Sequence, residues 1–445
     1  MASRTEPVAH ARRVPAGRAR EALAVAAALA LLAACGAPRS TPPDLPIETA
    51  DVERHVVTVS DAGAVPDVVA ATDHVGATML GSAPREGNVV VSPASAVVAL
   101  SMLAEGARGE TAAPLDEVLG AIGPERTAAV GALLAALQEH DGDPAAVQAT
   151  ELPEEPLAHV ANQVVVDDQA EVHDTYLEAL GAGYGAGVLH TDLGTDAGVA
   201  PLSDWVRYHT GGLIEESAIE PDPLLRLVLQ NATLFAARWE EPFEDSETSP
   251  QPFTLASGEE VQAEALRQTN DARYAEVDGW RAVRLPYVDA FHADVLLPPP
   301  GTDPASVTAE THAALREALD GAASVPVDLT MPTLDVPAEE PMDLTPALTA
   351  LGLGGLFRTA PTPDLSGISD QELYVSQAWQ QSVLQVDAEG TVAASVTEIG
   401  VSEAAAAVDT LEPVVLRVDR PYVFSVAHSD TGWTLFTSAI RDPRH

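Results

Sequence analysis

Along this chain the apolar positions follow two periods that interchange without a regular beat. Helical spacing through Val69, Thr72, Val75 and Met79 predicts a helix over 66–80, behind a proline suited to a first turn. The stretch 95–105 is apolar almost all round, the mark of a helix buried on every side. Further helices are predicted over 114–122, 126–138, 173–181, 202–210 and 345–351. Alternating or short apolar runs predict strands over 88–91, 159–167, 224–236, 282–297, 327–331, 382–387 and 414–418. Two more runs, 422–428 and 433–440, flank Ser429, Asp430, Thr431 and Gly432, a hairpin signal. Irregular mixing with no internal repeat argues against a doubly wound parallel sheet or a solenoid. The fold class expected is α+β.

One alternating run lies where a loop is expected. Residues 389–401 read EGTVAASVTEIGV, between turn and charge signals on both sides. Every second residue from Thr391 (Thr391, Ala393, Ser395, Thr397, Ile399, Val401) is small or β-branched and uncharged, as a face entering a packed sheet requires. The one charge within that span, Glu398, falls on the other face. The segment reads as a spare strand, held outside a sheet and able to join it once the loop is cut. A surface linker rich in Ala, Thr and Ser is the alternative, and Val392 and Val396 on the outward face leave it open.

The chain has 445 residues, 46% of them hydrophobic, enough for a large folded core. Five arginines precede an apolar run over 22–34 that ends Leu32, Ala33, Ala34, Cys35, the pattern of a bacterial lipoprotein signal. That run falls short of the roughly 20 residues a bilayer span takes. Residues 1–34 are therefore expected to be a signal peptide and 35–54 a Pro-rich tether from an acylated Cys35. Residues 55–445 are expected to form one domain, with 138–156 an acidic exposed loop. An unlipidated export signal is the alternative. The expected location is extracytoplasmic, lipid-anchored at the bacterial cell surface, with no other membrane contact.

Cys35 is the only cysteine, so no intramolecular disulfide can form. The formal net charge is −44, and without residues 1–34 the remaining 18 basic and 65 acidic residues give −47. Such a surface repels nucleic acid and other polyanions. The chain lacks G-x-S-x-G, H-E-x-x-H and Walker patterns, and its 12 histidines do not cluster. It is expected to be neither an enzyme nor a holder of a cofactor or metal.

The segment 88–111 (NVVVSPASAVVALSMLAEGARGET) resembles the N-terminal signature of the serpin family at Asn88, Ser92, Pro93, Ser95, Leu100, Gly106 and Thr111. Matches follow in serpin order. They include Trp205, Val206, Thr210, Gly212 and Ile214, then Asn231, Phe235, Trp239, Pro242 and Phe243, then Thr248 and Phe253. Leu297 with Pro298, the stretch 364–368 (DLSGI), the stretch 421–424, and Leu435 with Phe436 complete the run. Nearly the whole body is covered.

The resemblance implies a serpin fold with three β-sheets, about nine helices and an exposed reactive-centre loop. It implies a suicide substrate for a serine protease, trapped as an acyl-enzyme when the cut loop joins the central sheet. The loop hinge then falls on Glu389, Gly390, Thr391, Ala393, Ala394, Ser395 and Thr397. The polar cluster beneath the opening sheet falls on Ser92, Ser95 and Asn231, with Gln380 at the family's histidine. Counting from Gly390 puts the reactive bond between Ala404 and Ala405, within a range from Glu403 to Ala407. Leu411 also fits the distance to Pro421, but cutting there would leave a slack tether. A small residue before the bond points to an elastase-like or subtilisin-like protease, while Glu403 keeps a glutamate-specific one in view.

Residues 390–404 would extend about 45–50 Å, against a diameter of roughly 55 Å for a globule of about 390 residues. Departures from the family pattern are Gln380, Ala237, Ser438 and Ala388, the last at the usual hinge glutamate. The acidic surroundings of helix 126–138 predict no activation by heparin. A monomer is expected. The alternative on the same fold is a non-inhibitory surface binding protein.

Overall fold

The computed structural model describes Met1, residues 43, 45–48, 52, 54 and 56–444, except 150, 245–247, 338–340, 358–360 and 392–411. Every helix and strand named below belongs to the unit spanning residues 40–445. Among the described residues there are eight α-helices: α1 Val65–Ser82, α2 Pro93–Gly106, α3 Gly109–Leu119, α4 Gly123–Gln138, α5 Asp174–Tyr184, α6 Asp196–His209, α7 Ala309–Gly321 and α8 Thr345–Ala350.

The strands are β1 Val89–Val91, β2 Leu157–Asp167, β3 Gly187–Thr191, β4 Leu227–Arg238, β5 Ser249–Thr254, β6 Glu260–Val277, β7 Trp280–Pro286, β8 Phe291–Leu297 and β9 Ser324–Pro332. They continue with β10 Leu334–Val336, β11 Met342–Asp343, β12 Trp379–Gln380, β13 Leu384–Val386, β14 Gly390–Thr391, β15 Val414–Arg417, β16 Tyr422–His428 and β17 Thr434–Ile440. They form three sheets. One has nine strands, running β1-β17-β16-β8-β7-β6-β9-β15 with β5 on β6; one has six, running β10-β13-β14-β4-β2-β3; β11 and β12 pair alone.

The six-stranded sheet is covered on both faces, and the pattern along β4 shows it. Phe235 and Ala237 join the main core with α2, whereas Leu234 and Ala236 join a separate cluster with Val147, Leu152 and Leu157. Val228 belongs to a third cluster with Leu202 of α6, so α6 lies over the outer face. Beneath the inner face, α2 starts where Ser92 Oγ accepts the Ser95 N–H at 3.2 Å and Pro93 fills the first turn. It is then buried almost throughout, as its all-round apolarity requires.

Several boundaries differ from the sequence expectation. α3 and α6 begin five to six residues before the expected 114 and 202, because Pro114 and Pro201 lie inside the helices and not at their first turns. The run 282–297 is two strands, β7 and β8, turned back at Asp289 and Ala290, which adopt positive φ of 57° and 31°. At the end of the expected tether, Glu48 exchanges backbone hydrogen bonds with Val188 of β3 at 2.7 and 2.8 Å. The neighbouring Ile47 occupies the space a Cβ on Gly187 would need, 2.4 Å from Cγ2. An exposed edge strand attracts such pairing.

Candidate functional site

Among the described residues the six-stranded sheet has a gap beside β4. β14 sits between β4 and β13, with Gly390 opposite Arg238, Thr391 opposite Ala237, and Val386 opposite Thr391. Below that two-residue wedge, no strand among the described residues pairs with the 227–236 edge of β4. A cavity of about 170 Å³ opens there, with a second of about 220 Å³ beside it; both are lined by Ala96, Ala99, Val228, Leu229 and Trp379.

The wedge is held by a tight hairpin. Asp387 N donates to Gly390 O at 3.0 Å, and the Asp387 carboxylate accepts the N–H groups of Glu389 and Gly390 at 2.9 and 3.0 Å. Trp239 N donates to Glu389 O, Phe243 N to Ala388 O, and Trp239 Nε1 to Asp387 O, at 2.8 to 3.0 Å. Trp239 stacks on Tyr287 with centroids 4.4 Å apart, and the buried Tyr287 hydroxyl bonds Thr391 Oγ1. Burial pushes the Tyr287 pKa far up, so the hydroxyl stays neutral. Glycine is required at 390, since a Cβ there would lie 2.1 Å from Ala237 O.

The four expected cluster residues Ser92, Ser95, Asn231 and Gln380 all line the 170 Å³ cavity. Three are linked. The Gln380 amide accepts from Ser92 N and donates to Ser92 O, both at 2.9 Å, while Ser92 Oγ donates to Leu435 O at 2.7 Å and accepts from Ser95 N. Asn231 instead bonds across the strand pair to Asn162 Oδ1 at 2.7 Å and accepts from Thr233 at 3.0 Å. Of the expected hinge, Glu389, Gly390 and Thr391 are in the wedge; Ala393, Ala394, Ser395 and Thr397 lie outside the described residues. So do the expected reactive bond, Glu403, Ala404, Ala405 and Ala407, as well as Leu411 and the expected lipidation site Cys35.

Residues 75–443 match the family model described as Serpin (serine protease inhibitor). The chain belongs to the serpin family. Iripin-8 of Ixodes ricinus is 30% identical over 383 residues, 83% of this chain and 92% of its own length. Plasminogen activator inhibitor 1 of Bos taurus is 33% identical over 254 residues, 54% of this chain and 61% of its own. The native-state structure of tengpin, a thermophilic serpin, superposes with TM-score 0.72 at 20% identity, covering 89% of this chain and 97% of that one, a likeness of fold.

Two contributors to this serpin's slot carried no signal in the sequence pattern. Tyr287 is in the β7–β8 turn, and no periodicity assigns it to Thr391. Gln377 lies toward the end of the slot away from the wedge; its amide accepts from Glu220 N at 3.0 Å and donates to Glu220 O at 2.9 Å. Both contacts are long-range and arise from topology.

Proposed function

We propose that this serpin is a serine protease inhibitor acting as a suicide substrate, in which the cut loop continues β14 down the slot. The observation that carries the reading is Thr391, 1% exposed and already paired between β4 and β13 above a strand position that no described residue fills. Continuing both registers without a bulge sets residue 393 between Phe235 and Leu384, 395 between Thr233 and Ser382, 397 between Asn231 and Gln380, and 399 between Leu229 and Ala378. Those positions share the inward face of Thr391, and this chain places Ala393, Ser395, Thr397 and Ile399 there. Ser382 Oγ is buried with no hydrogen-bond partner among the described residues. The hydroxyl of Ser395 would supply one, which accounts for an otherwise costly unpaired group.

Attack by the protease forms an acyl-enzyme at the loop. Insertion before deacylation would carry the enzyme about 45 Å along the sheet and distort its catalytic site. We further propose a reactive bond at Ala404–Ala405 and an elastase-like or subtilisin-like target, from the small residues there. Cleavage and acylation at Cys35 would hold the protein as a lipid-anchored monomer at the outer face of a bacterial membrane. Incubating the protein without residues 1–34 with a small protease panel tests the reading. A denaturant-resistant complex and a released peptide beginning at Ala405 are expected; quantitative cleavage with no complex would contradict it.

A further inference from the structure

The segment between α6 and β4 crosses the outer side of the slot as a strap. Its residues Leu213, Ile214, Ser217, Ala218 and Ile219 line the 170 Å³ cavity, which Ser92, Ser95, Ala96 and Ala99 line on the opposite, α2 side. On the near side the strap is tied back to α6: Ser217 N donates to Ser203 Oγ at 3.0 Å, and Arg207 Nη2 donates to Glu215 O at 2.9 Å. On the far side the tie is Gln377, whose amide makes its pair of hydrogen bonds to the backbone of Glu220.

Gln380, three residues further on, makes an equivalent pair to the backbone of Ser92. Residues three apart in an extended chain point to opposite faces. The 377–380 stretch is thus clamped to the strap on one face and to the start of α2 on the other. Neither clamp is charged, and both use one donor and one acceptor of a single amide.

We propose that Gln377 is a positioning residue for inhibition, a latch that sets how fast the slot opens for the incoming strand. This deepens the reading above and rests on it. Continued register brings the tenth inserted residue level with Val228 and Gln377. The strap and the 377–380 stretch must part before that point, so the Glu220 bonds break during insertion and are absent afterwards. A latch that opens too slowly lets deacylation win and turns inhibitor into substrate. One that opens too easily lets the sheet fill without a protease.

The test uses peptide uptake, which needs no protease. A synthetic peptide with the sequence of residues 391–404 is incubated with the intact protein, and incorporation is followed by native electrophoresis. Gln377→Ala should accelerate uptake roughly tenfold, as expected for loss of two neutral hydrogen bonds. Gln377→Glu, which keeps an acceptor for Glu220 N but sets a carboxylate against Glu220 O, should also accelerate it. The melting temperature of the loop-cleaved form should be the same for wild type and both variants, because the latch is already open there; a merely structural role would lower it. Wild-type uptake rates in both variants would overturn the latch while leaving strand insertion intact. Failure of the wild type and every variant to take up peptide would overturn the latch together with the slot reading.

Discussion

Replacing Thr391 with arginine should convert this inhibitor into a substrate. Thr391 is 1% exposed, flanked by Ala237 at 0% and Val386 at 1%, and its hydroxyl meets a fully buried tyrosine. None of these neighbours carries a negative charge. An uncompensated charge in such a site costs about 3–5 kcal/mol, and the Tyr287 hydroxyl would lose its partner at a further cost of about 1–3 kcal/mol. At about 1.4 kcal/mol per tenfold, the first term alone slows a step that needs residue 391 seated by roughly two to nearly four orders of magnitude. Trapping is a race against deacylation, so a delay of that size sends the acyl-enzyme to hydrolysis. The assay is the molar ratio of inhibitor needed to silence a responsive protease, read with the yield of denaturant-resistant complex. Thr391→Ser keeps the hydroxyl and should behave as wild type. Full complex yield from Thr391→Arg would refute insertion through this wedge.

Particular groups carry the other expected outcomes. Heparin should not accelerate inhibition: the one basic residue in α4, Arg126, is 2% exposed and bonded to Asp116 and Glu105 at 2.5 and 3.1 Å, and a large rate increase with heparin would contradict this. His209 bonds through Nδ1 to His159, and burial, reinforced by His159 and opposed by Asp141, lowers its pKa from 6.5 to about 4. The unfolded chain therefore takes up a proton near pH 6.5 that the native protein resists until about pH 4, so stability should fall as pH drops through that window. His209→Gln should flatten that limb in denaturant midpoints measured across the same range. Cys35→Ala should shift the protein of intact cells from the detergent phase to the aqueous phase in a partition assay; unchanged partition would contradict lipidation.

The parity of the hinge was legible because β-strand periodicity is local: alternation starting at Thr391 already assigns it inward, and the structure buries it. The same locality explains what was missed. β6 exposes one residue in two along much of its length and carries Glu, Gln, Arg and Asp, so its polar face masked an 18-residue strand. α7 buries only Leu315 and Leu319 within the helix, a stripe too thin to stand out, although Thr308 caps it by accepting from Thr311 N at 3.2 Å. The expected helix starts at 114 and 202 fall at or just after Pro114 and Pro201, which the structure carries inside longer helices. The site divides similarly. Ser92, Gln380 and Asn231 came from motif resemblance, but Asn231 turning to Asn162, and Gln377 reaching Glu220 across 157 residues, depend on which strands the topology makes neighbours.

On this mechanism the native sheet, among the described residues, is short of one strand that the chain itself carries. Thermal unfolding of the intact protein beside protein nicked near Ala404 decides whether that strand is seated only after cleavage. If ten newly seated residues each contribute a net of about 0.5 kcal/mol, the nicked form gains about 5 kcal/mol, or about 10 °C at roughly 2 °C per kcal/mol. A rise of that order or more is the expected result. Superimposable melting curves would mean that no strand enters the sheet on cleavage.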